Sequence, residues 1–188
     1  MNTKTFHSLI HWSNEPIHSL YNTIQPELGY KPKGLWVSDE SSDFGWREWC
    51  IINSYPCGRI PHQVTIPDSH RILVLDTEQK VLDFSERFQP DIKNLHEYIS
   101  LSNYDEYMEI YADYKLNKLP LVLWQRVAQF YDGIMISPYY SSLRYEPLLA
   151  WYNTWDCASG AIWNCIGVKI EPVLDWQRKD PPSFDWEL

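Results

Sequence analysis

The sequence predicts an α+β fold: a single domain with a largely antiparallel or split β-sheet core and packed helices. Three observations carry this expectation. The chain has 188 residues, within the ~100–200 usual for one domain. Strand-like segments stand towards both ends, with helical patterning between them. The segments also lack the regular strand–helix–strand alternation of a doubly wound parallel sheet. The domain is assigned to residues 1–174, and 175–188 to a tail packed on the body.

The elements follow from local pattern. FHSLIHWS (6–13) alternates loosely and reads as a strand. EPIHSLYNTIQPEL (15–28) reads as a short helix, with Pro16 in its first turn and Ile17, Leu20, Tyr21 and Ile24 at helical spacing; Gly29 is its stop. GLWVS (34–38) is a compact apolar strand. DESSD (39–43) reads as a solvated acidic loop, after which Ser42 or Asp43 caps a helix carrying Trp46, Trp49 and Cys50 on one side. HQVTI (62–66) and RILVLDT (71–77) are rich in β-branched and apolar residues, hence strands, with Pro67–Asp68 as a turn between them.

Thr77 caps a helix over 77–88, and Tyr-rich helical patterning continues over 91–114. Residues 119–130 predict a more buried helix, 131–137 a strand, and 138–149 a loop with a short helix. Residues 151–160 read as irregular or strand, and 161–174 as one or two strands. In the tail, Trp176, Phe184 and Trp186 supply apolar anchors.

Composition narrows function. With 25 Asp+Glu against 16 Lys+Arg, the net charge is −9, which argues against unaided nucleic-acid binding. The N-terminus lacks the apolar core of a signal peptide. No stretch reaches the ~18 apolar residues of a membrane span. A cytoplasmic protein is expected, with no membrane partner. The cysteines Cys50, Cys57, Cys157 and Cys165 form no CxxC pair, so they read as free buried thiols and no metal site is expected. The motifs GxGxxG, GxxxxGK(S/T), HExxH and GxSxG are all absent. The unusual feature is aromatic: 10 Trp and 13 Tyr, enough to fill a core or line a site for flat ligands.

Four segments look specific: LIHWS with His11, KPKGLWVS ending in Ser38, YDGIMISPY (131–139) and WYNTWDCASGAIWN (151–164). In this order they resemble the layout of ADP-ribosyltransferase-like domains. There a His or Arg sits on the first core strand, and a Gly-led strand ending in Ser or Tyr follows. A strand led by YDG and a strand with an acidic catalytic residue come near the end. The resemblance spans most of the chain at the level of elements, with two partial motifs. It implies NAD as the cofactor and transfer of ADP-ribose to a macromolecular or small-molecule acceptor. It implies that His11 bonds the nicotinamide ribose. Gly34 and Ser38, with the intervening backbone, hold that ribose or the fold of its pocket, while Trp36, Trp46 or Trp49 stack on the nicotinamide. A carboxylate beside the anomeric carbon stabilises an oxocarbenium-like charge, and an aromatic wall excludes water.

The sequence departs from that pattern where a Glu is expected. Ser159, Gly160 and Ala161 occupy the register, and the nearest carboxylate is Asp156. Asp156 is therefore the catalytic candidate beside His11, with Glu146 or Asp132 as substitutes. Each residue also has a plain reading. His11 suits a core position bonded to a carbonyl. Ser38 suits a cap or turn, Asp132 a turn, and Asp156 a structural partner of Arg144 or Arg126. Trp12, Trp36, Trp155 and Trp163 read as core.

Two other functions compete. An acidic, non-catalytic protein could inhibit a basic or nucleic-acid-binding partner if Asp39, Glu40, Asp43, Glu106, Glu109 and Asp113 formed one face. A carbohydrate-binding or glycosidase-like protein would use Trp and Tyr platforms, but no spacing singles out a carboxylate pair.

Overall fold

The computed structural model describes residues 8–42, 44–90, 121–146 and 149–173. Short apolar segments pair into one seven-stranded sheet. Its strands are β1 (Leu9–Ser13), β2 (Leu35–Asp39), β3 (Ile60–Thr65), β4 (Ile72–Leu75), β5 (Gly133–Ile136), β6 (Ser159–Ile162) and β7 (Lys169–Pro172). Their order is β4-β5-β6-β2-β1-β3-β7. Among the described strands only β4 and β5 run parallel; every other pair is antiparallel. The α+β, mostly antiparallel expectation is met.

The period-two alternation of strand side chains divides the core. Ile134 and Ile136 of β5 face one cluster with Leu75, Phe84, Phe88, Trp124, Trp151, Trp155 and Trp163. Met135 between them faces the other, with Leu9, Val37, Val64 and Ile162. Among the described residues the α-helices are α1 (Trp46–Ile52), α2 (Glu78–Phe88), α3 (Trp124–Ala128) and α4 (Ala150–Asn153); α2, α3 and α4 contribute to the first cluster. α2 follows its sequence pattern. The Thr77 hydroxyl accepts from Lys80 N at 3.2 Å, and Val81, Phe84, Ser85 and Phe88 form its buried stripe.

The indoles of the large cluster are also polar ties. The Nε1 groups donate from Trp124 to Gly29 O (3.0 Å), from Trp151 to Ser85 Oγ (2.8 Å), from Trp155 to Ser159 O (3.1 Å) and from Trp163 to Tyr131 O (2.7 Å).

Two glycines allow the central strands to approach. A Cβ on Gly160 would lie 2.1 Å from Ile134 O. Gly34 has φ +149° and meets Ile162 O at 2.5 Å from the same kind of Cβ, so a side chain there is excluded twice over.

Several expected elements differ. Residues 15–28 form no helix. Tyr21 and Ile24, part of its apolar stripe, are 76% and 86% exposed. Backbone partners elsewhere outweigh helical spacing: Thr23 N donates to Trp163 O at 2.9 Å, and Gly29 exchanges two bonds with Val122. Cys165 N donates to Asn22 Oδ1 at 2.8 Å. Gly29 thus joins a bridge and stops no helix. The 119–130 helix shrinks to α3, because Val122 pairs with Gly29 and Leu123 N donates to Phe88 O.

The turn at Pro67 exists, with His70 N donating to Pro67 O, but β3 and β4 lie far apart in the sheet. Residues 150–153 are helical, where a strand or irregular chain was expected. Ser42 does not cap helix α1: Gly45 is its N-cap, and Trp46 N donates to Ser38 Oγ at 2.7 Å. Asp43, residues 91–114 and the tail from 175 onward lie outside the described residues. No described helix is long and apolar enough to cross a membrane.

Candidate functional site

The three central strands β6, β2 and β1 lie side by side, and a cleft of about 340 Å³ opens beside them. Its lining includes His11, Trp36, Ser38, Trp46 and Asp156, five of the seven residues singled out from sequence. Antiparallel pairing explains the convergence. Ile10 of β1 is opposite Ser38 of β2, and Ser38 is opposite Ser159 of β6. Asp156 stands just before β6, so the three segments reach the same end of the sheet. Their separations in sequence, 27 and 118 residues, hide this closeness.

His11 has a defined tautomer. Its Nδ1 lies 2.6 Å from Trp36 O. A carbonyl only accepts, so Nδ1 carries the proton and Nε2 of the neutral ring is an acceptor. Burial lowers its pKa below the usual histidine range, the Trp36 carbonyl opposes this, and nearby His62 lowers it further. His62, wholly buried, has its ring 6.3 Å away. The core-histidine feature, a bond to a carbonyl, and the site position therefore coexist in His11.

Ser38 serves the frame of the cleft. It is buried, accepts from Trp46 N at 2.7 Å and donates to Ala158 O at 3.4 Å. It thereby fastens α1 to the end of β2 and brings Trp46 to the lining. Trp46 stacks on Trp49 with centroids 5.0 Å apart and an 11° interplanar angle; Tyr55 closes edge-on against both. Trp49 supports the wall from behind and is absent from the lining. Gly34 also lies outside the lining and acts through strand approach. Trp36 is half-buried, 4.9 Å from Trp155, and forms part of the wall rather than only core.

Asp156 stands at the cleft and has the expected arginine partner. It lines the cleft, and its Oδ1 pairs with Arg144 at 3.2 Å. The alternative carboxylates are elsewhere. Asp132 accepts from Arg71 N and Asn164 Nδ2 just before β5, where Gly133 pairs with Ile162 at the far end of β6 from Ser159. Glu146 is exposed. Neither lines the cleft. In the register left without a carboxylate, Ser159 to Ala161, the Ser159 hydroxyl donates to Cys157 O at 3.0 Å.

Sequence reasoning missed Lys31, Trp155, Cys157 and Glu40. Lys31 lines the cleft with its ammonium 5.1 Å from the Trp36 ring centroid. Cys157 also lines it, but burial pushes its thiol up to about 12, which removes it as a thiolate nucleophile. Glu40 accepts from Trp12 Nε1 at 3.1 Å, orienting another lining ring. Burial raises its pKa, against the Trp12 and Ser38 bonds. A KPK turn before the Trp36 strand was the one available signal for Lys31.

No family model, curated protein or solved structure matches this chain. The function therefore rests on the cleft's own chemistry.

Proposed function

We propose that the cleft binds NAD and supports transfer of ADP-ribose to an acceptor. The observation that carries this reading is the convergence of His11, Trp36, Ser38, Trp46 and Asp156 on one opening. The donor set fits the nicotinamide-ribose half of NAD. His11 Nε2 offers an acceptor to a ribose hydroxyl, and the tryptophan walls suit a flat ring. Asp156 supplies a carboxylate. The cleft volume of about 340 Å³ lies in the lower part of the ~300–1,000 Å³ range of ligand pockets.

NAD supplies a glycosidic bond whose cleavage builds positive charge at the ribose. In this reading Asp156 faces that charge. Arg144 holds the carboxylate in place through their 3.2 Å ion pair. The aromatic walls displace water, which strengthens the Asp156 interaction. A residue in the loop before β6 thus performs the task that the resemblance assigns to a Glu on the strand. Asp156 is shorter by one methylene, and the loop compensates by bringing it to the opening.

The rival reading, an acidic protein that blocks a basic partner, has less support. Asp39 is only 4% exposed and accepts from Ser137 Oγ at 2.6 Å and Ser41 N at 3.1 Å. Glu40 turns to Trp12. Glu106, Glu109, Asp113 and Asp43 lie outside the described residues.

Calorimetric titration with NAD, followed by chromatography of released nicotinamide, tests the proposal. Binding is expected in the micromolar to millimolar range. Asp156→Asn should retain binding and lower nicotinamide release about 100-fold or more, the scale of one transition-state electrostatic contact. His11→Ala should weaken both. No binding at millimolar NAD ends the proposal.

A further inference from the structure

A dinucleotide carries a doubly charged pyrophosphate, and this chain is acidic overall. The sequence holds neither glycine-rich phosphate motif, GxGxxG or GxxxxGK(S/T), and the first amide of α1, Trp46 N, is occupied by Ser38 Oγ. Among the described residues lining the cleft, His11 is held towards its neutral form, and Lys31 carries the positive charge.

Lys31 is also placed by the fold rather than left to wander. The Gln25 side chain clasps the following turn: its Nε2 donates to Lys33 O at 2.7 Å, and Lys33 N donates to its Oε1 at 3.0 Å. Pro32 between them is buried. The ammonium rests over Trp36, a contact that holds the head group while leaving its N–H donors for an anion. Lys31 itself is exposed, which fits a group at the rim, where the pyrophosphate would leave a cleft that encloses only the nicotinamide ribose. Partial desolvation pushes its pKa down and the Asp156 charge opposes this.

We propose that Lys31 is the anion-recognising residue of the cleft, holding the pyrophosphate of the bound dinucleotide and setting the preference for NAD over nicotinamide alone. This rests on the NAD reading above. Asp156 and Lys31 then divide the ligand: the carboxylate faces the positive end and the ammonium faces the phosphates.

The test compares the wild-type chain with Lys31→Met, which keeps an apolar stem over Trp36, and Lys31→Arg, which keeps the charge. Probes are NAD, ADP-ribose and nicotinamide, followed by calorimetry and saturation-transfer NMR, with thermal unfolding to verify folding. Loss of one charge-assisted contact predicts about tenfold weaker NAD and ADP-ribose binding by Lys31→Met. Nicotinamide binding should be unchanged, and Lys31→Arg should restore dinucleotide affinity. The salt dependence of NAD binding should also flatten in Lys31→Met. Equal NAD affinity in wild type and Lys31→Met overturns the Lys31 assignment while leaving the NAD reading intact. An equal loss of nicotinamide binding also overturns it, because Lys31 would then merely support the Trp36 wall. If wild type binds none of the three, the NAD reading falls and this inference with it.

Discussion

Replacing Ser38 by Ala separates a ligand-binding hydroxyl from a structural one. The Ser38 hydroxyl accepts from Trp46 N at 2.7 Å, and its longer bond to Ala158 O is 3.4 Å. Removing it strips the first amide of α1 of its acceptor. Leaving that part-buried amide without its acceptor costs about 1–3 kcal/mol. For a chain of this size each kcal/mol shifts Tm by about 2–4 °C. Differential scanning calorimetry should therefore show a drop of about 2–12 °C. Near-ultraviolet circular dichroism should change too, because the Trp46–Trp49 stack rides on α1. Ser38→Thr keeps the oxygen and should recover most of the loss. An unchanged Tm combined with lost NAD binding would refute the capping argument and make the hydroxyl a ligand contact.

Two further outcomes follow from the same geometry. Gly160→Ala sets a Cβ 2.1 Å from Ile134 O and should push β5 and β6 apart, destabilising by about 3 kcal/mol or more; an unaltered urea midpoint would mean that the two strands do not pack this closely. His11 has a lowered pKa, so below pH 6.5 the unfolded chain binds a proton that the folded chain does not. Stability should fall as pH drops through this window, stop falling on this account below the folded pKa, and be fully present above 6.5. His11→Gln should flatten that slope in urea titrations from pH 7.5 to 5, and an identical slope in both proteins would contradict a buried, neutral His11.

How much was legible depends on where each residue's partner lies. β5 could be read because Ile134, Met135 and Ile136 are buried on both faces, which yields a continuous apolar run. α2 could be read because its cap and stripe are local. Residues 15–28 misled because periodicity reports spacing, not a partner. The partners of Thr23, Asn22 and Gly29 are Trp163, Cys165 and Val122, all beyond any local window. The same distance affects the site. Asp156 was visible as a carboxylate in an apolar segment, and His11 and Trp36 through the resemblance of their segments. Their meeting in one cleft depends on the order β6-β2-β1. Lys31 stood in a polar turn, where a lysine draws no notice.

The acidic run shows most clearly why charge along a chain is a poor map of charge on a surface. Asp39 is the last residue of β2, a strand flanked on both sides by neighbours. Its carboxylate would be costly there without donors. Ser137 and Ser41 supply them, and in doing so tie the end of β2 to the residue after β5. Glu40, next along, holds the Trp12 indole at the cleft. Two charges expected in a solvated loop are instead bonded within the fold, to Ser137 and to Trp12. The net charge of −9 therefore overstates what a basic partner would meet at this end of the sheet. The acidity that first suggested a decoy surface contributes, at these two positions, to the rigidity that a binding cleft needs.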